Sequence, residues 1–280
     1  MDIDHEADPA TRTALFEHVY RHTGIVMNER KWPMLAGRLR RRLHALALPG
    51  YPAYLRLLEE RPQEIDDFID LVTTNETSFF RTPRVWEYVA HDFLPHWHRR
   101  NAGAVLRIWS AASSSGEEAY SAAMTCEEFR SVHPAFRYSI VATDISDEIL
   151  GKASRGIFQG RNIEALKASR PAFVEKYFSL GTDGYSVSAA LRARVAFRKI
   201  NLHQAVRAIE DVDLAMLRNV LIYFDSTGQE QVLENVRRAM KLDAVLVVGE
   251  SESLSRLKTG FRFEQPLIYR NGKVAHDSGA

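Results

Sequence analysis

A stretch of small and acidic residues is the first feature of this sequence that could do chemistry. Residues 108–118 read Ile-Trp-Ser-Ala-Ala-Ser-Ser-Ser-Gly-Glu-Glu, which is typical of a strand, a tight loop and a helix start. Small side chains let a ligand approach the backbone, and the carboxylates Glu117 and Glu118 favour a cationic or hydroxyl-bearing ligand over a phosphate. The alternative is a tight turn in which both carboxylates only interact with the helix dipole.

A second candidate, Asp144, follows the next apolar run at 139–143. An acidic residue at the end of that strand could accept hydrogen bonds from both hydroxyls of a ribose. Asp144 lies 28 residues after Gly116, compared with roughly 20 in dinucleotide-binding sheets. Alternatively, Asp144 caps the following helix, 147–152. Together with the acidic loop, it favours an adenosine ligand whose other end is not a phosphate, and S-adenosylmethionine (SAM) fits that description.

Two further segments carry polar groups that could reach the same crevice. Residues 73–77 are five consecutive polar side chains, followed by two phenylalanines and Arg81. They could supply donors to a site at a domain junction, or they could form a well-bonded linker. Residues 218–225 begin at the end of a predicted strand, so Asn219 and Tyr223 could face the crevice. Alternatively, the apolar residues of that segment, Tyr223 included, are core.

Taken in their order along the chain, the four segments resemble the CheR family, the SAM-dependent methyltransferases that methylate glutamates on bacterial chemotaxis receptors. The matching pieces include TTNETSFFR at 73–81, RIWSAASSSGEEAYSAAM at 107–124, ATD at 142–144, NL at 201–202, RNVLIYFD at 218–225 and GESESL at 249–254.

The resemblance also implies roles for individual residues in a SAM site. These are Asn75, Thr77 and Arg81 at the amino-acid end of SAM, Glu117 or Glu118 and Asp144 at its amino and ribose groups, Asn201, Leu202, Arg218 and Asn219 around its adenosine, and Tyr223, with Arg81 as the second catalytic residue, beside the transferred methyl.

The implied reaction needs neither a general base nor a metal ion. A glutamate with an ordinary pKa of about 4.3 is already ionised at neutral pH and can act as the nucleophile directly. His91, His96 and His98 lie close together, but Pro95 interrupts them and no acidic or cysteine partner completes a ligand set. We therefore expect no metal site.

A basic segment could recognise the methyl acceptor. Residues 30–56 contain seven basic residues and no acidic ones, and a helical arrangement places Arg38, Arg41 and Arg42 opposite a leucine stripe. Such runs are usually only solvated faces. Beside a carboxylate-methylating site, however, this face would bind the acidic, cytoplasmic methylation helices of chemotaxis receptors, as the resemblance also implies. On that basis Arg38→Glu is expected to raise the KM for the receptor and leave SAM affinity intact.

The elements that must position these residues divide into two domains. Helical periodicity without strand signals predicts an all-helical N-terminal domain over 1–81, and the basic face together with the resemblance implies that this domain recognises the receptor. Over 82–280, helical patterns alternate with five apolar runs, at 105–112, 139–143, 195–200, 214–217 and 244–248. This alternation predicts a doubly wound α/β domain, which the resemblance specifies as a Rossmann-like class I SAM methyltransferase sheet. The strong turn at 181–184 predicts a small β subdomain over about 173–200.

The composition of the chain limits its possible binding partners and cellular location. The 280 residues are 45% hydrophobic, and 37 basic residues against 36 acidic ones leave a net charge of +1, which argues against a general nucleic-acid binder. A single cysteine and the absence of an apolar run of about 20 residues favour a cytoplasmic protein that does not insert into the membrane. The alternatives to receptor methylation are a SAM-binding, non-catalytic signalling adaptor and a SAM methyltransferase acting on another substrate.

Overall fold

The computed structural model describes residues 7–272, and the first part of that range is helical. Its four helices are α1 (Pro9–Thr23), α2 (Trp32–Ala45), α3 (Tyr51–Glu60) and α4 (Glu64–Val72). Leu35, Leu39 and Leu43 of α2 are fully buried, which confirms the predicted leucine stripe. Gly50 is the N-cap of α3, and Pro52 lies in the first turn of that helix. Proline is tolerated there because the N–H that it lacks would have no partner within the helix.

The remainder of the chain alternates strands with helices. The strands are β1 (Val105–Ser110), β2 (Arg137–Asp144), β3 (Ile157–Phe158), β4 (Phe178–Gly181), β5 (Gly184–Val187), β6 (Val195–Lys199), β7 (Val212–Leu217), β8 (Met240–Val248), β9 (Phe261–Gln265) and β10 (Ile268–Asn271). The helices are α5 (Pro83–Tyr88), α6 (Leu94–Arg100), α7 (Glu117–Val132), α8 (Asp147–Arg155), α9 (Arg161–Ser169), α10 (Pro171–Tyr177), α11 (Ala189–Arg192) and α12 (Ser226–Ala239).

Seven strands form one mixed sheet in the order β6-β2-β1-β7-β8-β10-β9. The five strands from β6 to β8 are parallel to one another. Strand β10 pairs in antiparallel orientation with β8 on one side and with β9 on the other. The parallel strands correspond to the five predicted apolar runs, so the predicted α/β class is confirmed. The hairpin of β9 and β10 was not predicted, because β9 is an exposed edge strand with alternating charges and lacks a continuous apolar run.

The small β subdomain has different boundaries from those predicted. Its antiparallel sheet has the order β3-β5-β4, so it includes residues 157–158, which lie before the predicted range of 173–200. Conversely, β6 falls inside that range but belongs to the main sheet, where Val195 pairs with Ile140 of β2. The predicted range therefore overlapped the apolar run at 195–200, which was itself predicted as a parallel strand, and the β-hairpin of β4 and β5 is the part of the range that lies in the small sheet.

Buried apolar side chains form two separate clusters in the part of the chain that the structure describes. One cluster draws its fully buried members from residues 7–72 and the other from residues 79–269. Tyr223 belongs to the α/β part but packs against the helical cluster, so the two parts meet at this residue. None of the helices within 7–272 is long and apolar enough to span a membrane.

Candidate active site

A cleft lies between the carboxyl ends of the parallel strands and the N-terminal helices. Its lining combines residues 73–78, Arg81, the loop after β1, Asp144, residues 200–202 and residues 218–224, with Thr23 and Ile25 at the end of α1. Ligands bind at this edge in open α/β sheets because the strand ends and helix N-termini diverge there. All four segments singled out in the sequence therefore meet at one site.

The loop after β1 forms the floor of the cleft. It is anchored by the backbone N–H of Ala111, which donates to Met216 O at 2.9 Å, and by that of Ser113, which donates to Thr143 O at 2.8 Å. Gly116 adopts φ 96°, and a Cβ there would lie 3.1 Å from Ala153 Cβ. A left-handed turn in this confined space requires glycine.

Glu117 and Glu118 point in different directions, and only Glu118 lines the cleft. Glu118 accepts hydrogen bonds from Ser110 Oγ at 2.7 Å and from Arg218 Nη1 at 3.0 Å. Glu117 instead accepts from Asn162 Nδ2 at 2.9 Å and from Ser115 Oγ at 2.6 Å. Glu118 thus lies at the cleft, whereas Glu117 is hydrogen-bonded to Ser115 of the loop and to Asn162.

Asp144 is buried at the end of β2 and lines the same cleft. Its carboxylate accepts from the backbone N–H of Ser114 at 2.9 Å and of Ser146 at 3.2 Å. The alternative that Asp144 caps α8 is wrong, because Ser146 is the N-cap and its Oγ accepts from Ile149 N. Asp144 retains lone pairs that can receive hydroxyl donors.

Burial shapes the electrostatics of both carboxyl groups in the cleft. It raises the pKa of Glu118 above the ordinary glutamate value, and the neighbouring Arg218 guanidinium opposes this rise. It likewise raises the pKa of Asp144, against the backbone N–H donors of Ser146 and Ser114. Two carboxyl groups of different surroundings therefore face the same cavity.

Residues 73–78 and Arg81 line the cleft. Asn75 is anchored through its carbonyl, which accepts from Ser114 Oγ at 2.8 Å, and Thr77 through its carbonyl, which accepts from Asn162 Nδ2. Within residues 7–272, the side chains of Asn75 and Thr77 make no hydrogen bond, although both residues line the cleft. Among the described residues, the Arg81 guanidinium donates only to Glu76 O, at 3.2 Å, which leaves its other N–H donors available to a ligand.

The opposite wall comes from residues 201–202 and 218–223. Asn201 Nδ2 donates to His22 O at 2.8 Å, so its amide joins α1 to the sheet as well as lining the cleft. Arg218 is buried, and its Nε has no partner among the described residues. Asn219 adopts a left-handed backbone with φ 58°. Tyr223 is half-buried, its carbonyl accepts from Val26 N, and burial raises the pKa of its hydroxyl.

The basic helix α2 lies beside the cleft, but its arginines have different surroundings. Arg38 Nη1 donates to Leu71 O at 3.0 Å and Thr73 O at 2.8 Å, and its Nη2 donates to Thr74 Oγ1 at 3.1 Å. Arg42 forms a bidentate pair with Glu64, which is buried. Arg41 is exposed and makes no side-chain hydrogen bond within the described range.

Sequence reasoning missed several residues that build the site. Thr23 and Ile25 form part of the lining, and Glu252 supports residues 219–221 from the turn after β8. Gly24, with φ 74°, ends α1 next to Thr23. A glycine after a helix predicts that helix end, but it does not indicate that the adjoining residues cover a cleft.

Two family profiles match this chain along most of its length. A profile described as "CheR methyltransferase, SAM binding domain" matches residues 75–268, and one described as "CheR methyltransferase, all-alpha domain" matches residues 12–73. The chain is 36% identical to the chemotaxis protein methyltransferase of Escherichia coli K12, covering 91% of this chain and 88% of that protein. It is 34% identical to the chemotaxis protein methyltransferase of Salmonella typhimurium, with the same coverage. It is 33% identical to chemotaxis protein methyltransferase 2 of Vibrio cholerae, covering 89% and 87%.

Proposed function

This chain belongs to the CheR family of chemotaxis methyltransferases, and on that basis we propose which residues carry out its reaction. It is a SAM-dependent protein-glutamate methyltransferase that methylates the glutamates of chemotaxis receptors. The observation that best supports the assignment of its site is that Asp144, Glu118, Arg81 and Tyr223 line the same cleft.

The groups that line the cleft fit SAM. SAM carries a cationic sulfonium and amino group, a carboxylate and a ribose with two hydroxyls, and supplies an electrophilic methyl when bound. Asp144 can accept from the ribose hydroxyls, and Glu118 can accept from the amino group. Arg81, with Asn75 and Thr77 beside it, can donate to the carboxylate. The acidic floor and the lack of a glycine-rich phosphate loop disfavour a dinucleotide.

Leu202 and Asn219, with Asn201 and Arg218, form the wall left for the adenosine. Leu202 offers an apolar surface and is buried, whereas Asn219 offers amide hydrogen-bonding groups. Arg218 acts mainly through Glu118, because it neutralises that carboxylate in the interior. Its Nε–H has no partner among the described residues and is available to the ligand. Glu117 holds the loop and Asn162 in place and does not contact the ligand.

The reaction proceeds by in-line displacement. A carboxylate oxygen of the receptor glutamate forms a bond to the methyl carbon while the bond from that carbon to sulfur breaks, and the electron pair remains on the sulfur. No proton is transferred, so the cleft needs no general base. Tyr223, together with the Arg81 donors that the SAM carboxylate does not use, orients the incoming carboxylate by hydrogen bonds. This alignment lowers the barrier to displacement.

Acceptor recognition is assigned to the exposed cations of α2 and its flanks. Arg41 lies one turn after Arg38, which contacts the cleft rim at Thr74, so an acidic helix bound along α2 would lie next to the opening. The cytoplasmic methylation helices of receptors have this acidic character, and exposed arginines would steer and orient them. Arg38 and Arg42 mainly support the protein itself, since both are engaged with backbone or carboxylate acceptors.

Methyl transfer to a purified receptor cytoplasmic fragment tests the function directly. The protein is incubated with methyl-labelled SAM and the fragment, and base-labile label on the fragment is measured as released methanol. Ester-borne label is expected. Binding of SAM without transfer would indicate a non-catalytic signalling adaptor, and base-stable label on another acceptor would indicate a methyltransferase of different specificity.

A further inference from the structure

Glu252 is a buried carboxylate that binds four backbone N–H groups beside the cleft. Its Oε1 accepts from Val220 N at 2.8 Å and Leu221 N at 2.7 Å. Its Oε2 accepts from Asn219 N at 2.8 Å and from Gly249 N at 2.6 Å. Glu252 is 6% exposed, and within residues 7–272 it has no salt bridge. Backbone N–H donors therefore satisfy both of its carboxyl oxygens.

The segment that Glu252 holds carries functional groups of the proposed site. Residues 219–221 connect β7 to a short 3-10 turn, Leu221–Tyr223, and both Asn219 and Tyr223 line the cleft. Asn219 has φ 58°, a left-handed conformation that costs a non-glycine residue about 1 kcal/mol or more. The Val220 and Leu221 N–H groups lie at the start of the turn, where no earlier carbonyl of the turn can accept from them. Glu252 satisfies them and holds this conformation.

Gly249 makes the approach of Glu252 possible. A Cβ at Gly249 would lie 2.7 Å from Glu252 Oε2 and 2.8 Å from Asn219 N. Such distances are shorter than a carbon can occupy, so any side chain there would separate the carboxylate from residue 219. Gly249 and Glu252 thus form one unit with the backbone of residues 219–221.

We propose that Glu252 is a positioning residue for methyl transfer, which sets Asn219 and Tyr223 around SAM through the backbone of residues 219–221 and touches no reactant itself. The proposal rests on the proposed function for the identity of the ligand. It predicts that loss of the carboxylate changes SAM binding and turnover, and leaves recognition of the receptor on α2 unchanged.

Glu252→Gln is the sharpest test, because it keeps the shape of the side chain and replaces an acceptor oxygen with an NH2 that faces two N–H donors. Glu250→Gln is the matched control, since Glu250 lies in the same turn, is exposed, and has a surface contact with Arg84 at 3.4 Å. We expect Glu252→Gln to raise the SAM Kd and to lower kcat, each by about tenfold or more. The receptor KM should stay within about twofold of the control.

Gly249→Ala tests the same unit from the other side and should reproduce both changes. Should either variant be recovered unfolded, Glu252→Asp, which keeps the charge on a shorter side chain, is measured by the same criteria. A folded Glu252 variant with SAM Kd and kcat equal to those of Glu250→Gln would overturn the proposal. So would a receptor KM that rises in step with the SAM Kd, since that pattern indicates general disorder. The SAM Kd is measured by titration without receptor. A result based on the SAM Kd therefore does not depend on whether the parent protein methylates the fragment.

Discussion

Glu118 and Arg218 form a salt bridge of 3.0 Å beneath the cleft, with side chains that are 9% and 2% exposed. Arg218 Nη2 also donates to the carbonyl of Arg81 at 2.8 Å. This pair therefore connects α7, the end of β7 and the segment across the cleft opening. A buried ion pair of this kind is strongly destabilising to break, because the remaining charge is left without a partner in the interior.

Glu118→Gln should accordingly lower the free energy of unfolding by about 3–5 kcal/mol. The amide keeps the shape of the side chain but leaves Arg218 charged and buried. Urea unfolding followed by circular dichroism measures the change. Glu250→Gln, which breaks only an exposed pair, should change the same free energy by less than about 1 kcal/mol. A loss as small for Glu118→Gln would contradict the interpretation of this pair.

The affinity for SAM should fall as the pH is lowered. The fall should begin at a higher pH than the pKa of an ordinary aspartate would give. Burial raises the pKa of Asp144, and the ionised carboxylate is the form that accepts from both ribose hydroxyls. As the pH falls through that raised pKa, the Kd should rise by up to about tenfold per pH unit. Calorimetric titrations at several pH values measure it.

Asp144→Asn is the control for this pH dependence. It should bind SAM more weakly at neutral pH, and its Kd should lack the part of the dependence that belongs to Asp144, while any contribution of Glu118 remains. Parallel pH curves for the parent protein and the variant would show that Asp144 is not the titrating group.

Tyr223→Phe should reduce turnover and spare SAM binding. Removal of a hydroxyl that orients a carboxylate nucleophile is expected to lower kcat by about 10- to 100-fold, the value of one hydrogen bond to a charged group. The SAM Kd should change by less than about twofold. Steady-state methylation of the receptor fragment gives kcat. Tyr20→Phe is the control, since Tyr20 is 42% exposed on α1 and lies outside the cleft lining.

Arg38→Ala should weaken SAM binding, contrary to the expectation from sequence that Arg38 serves only receptor recognition. Its guanidinium holds Thr73 and Thr74 at the cleft opening, so its loss frees residues 73–77. We expect the SAM Kd to rise by about tenfold. An unchanged Kd, measured by calorimetry, would restore the simpler assignment of Arg38 to the receptor.

Arg41→Glu should weaken receptor recognition alone. Arg41 is exposed and unpaired within the described range, so reversing its charge should raise the receptor KM severalfold, and more at low ionic strength than at high. The SAM Kd should stay the same. A receptor KM that is independent of both this substitution and salt would exclude a role for the α2 surface in docking.

The sequence by itself determined the five parallel strands of the sheet and the character of the ligand. Five apolar runs predicted the parallel strands, and the prediction is clearest for β7, whose six residues are all buried. The acidic loop and Asp144 were found because the ends of parallel strands meet at one edge, wherever their partners lie in the chain. Helical periodicity also predicted the leucine stripe of α2.

Only the tertiary structure decided what each polar side chain does. Glu117 and Glu118 are adjacent, yet one bonds Asn162, 45 residues away, and the other bonds Arg218, 100 residues away. A helical wheel predicts the face that Arg38 occupies, but it omits the acceptors that approach Arg38 from residues 71–74. The same holds for Glu252, whose role depends on N–H groups more than 30 residues distant. Periodicity is local, whereas hydrogen-bond partners are set by how distant segments pack, so the partners could be read only from the fold.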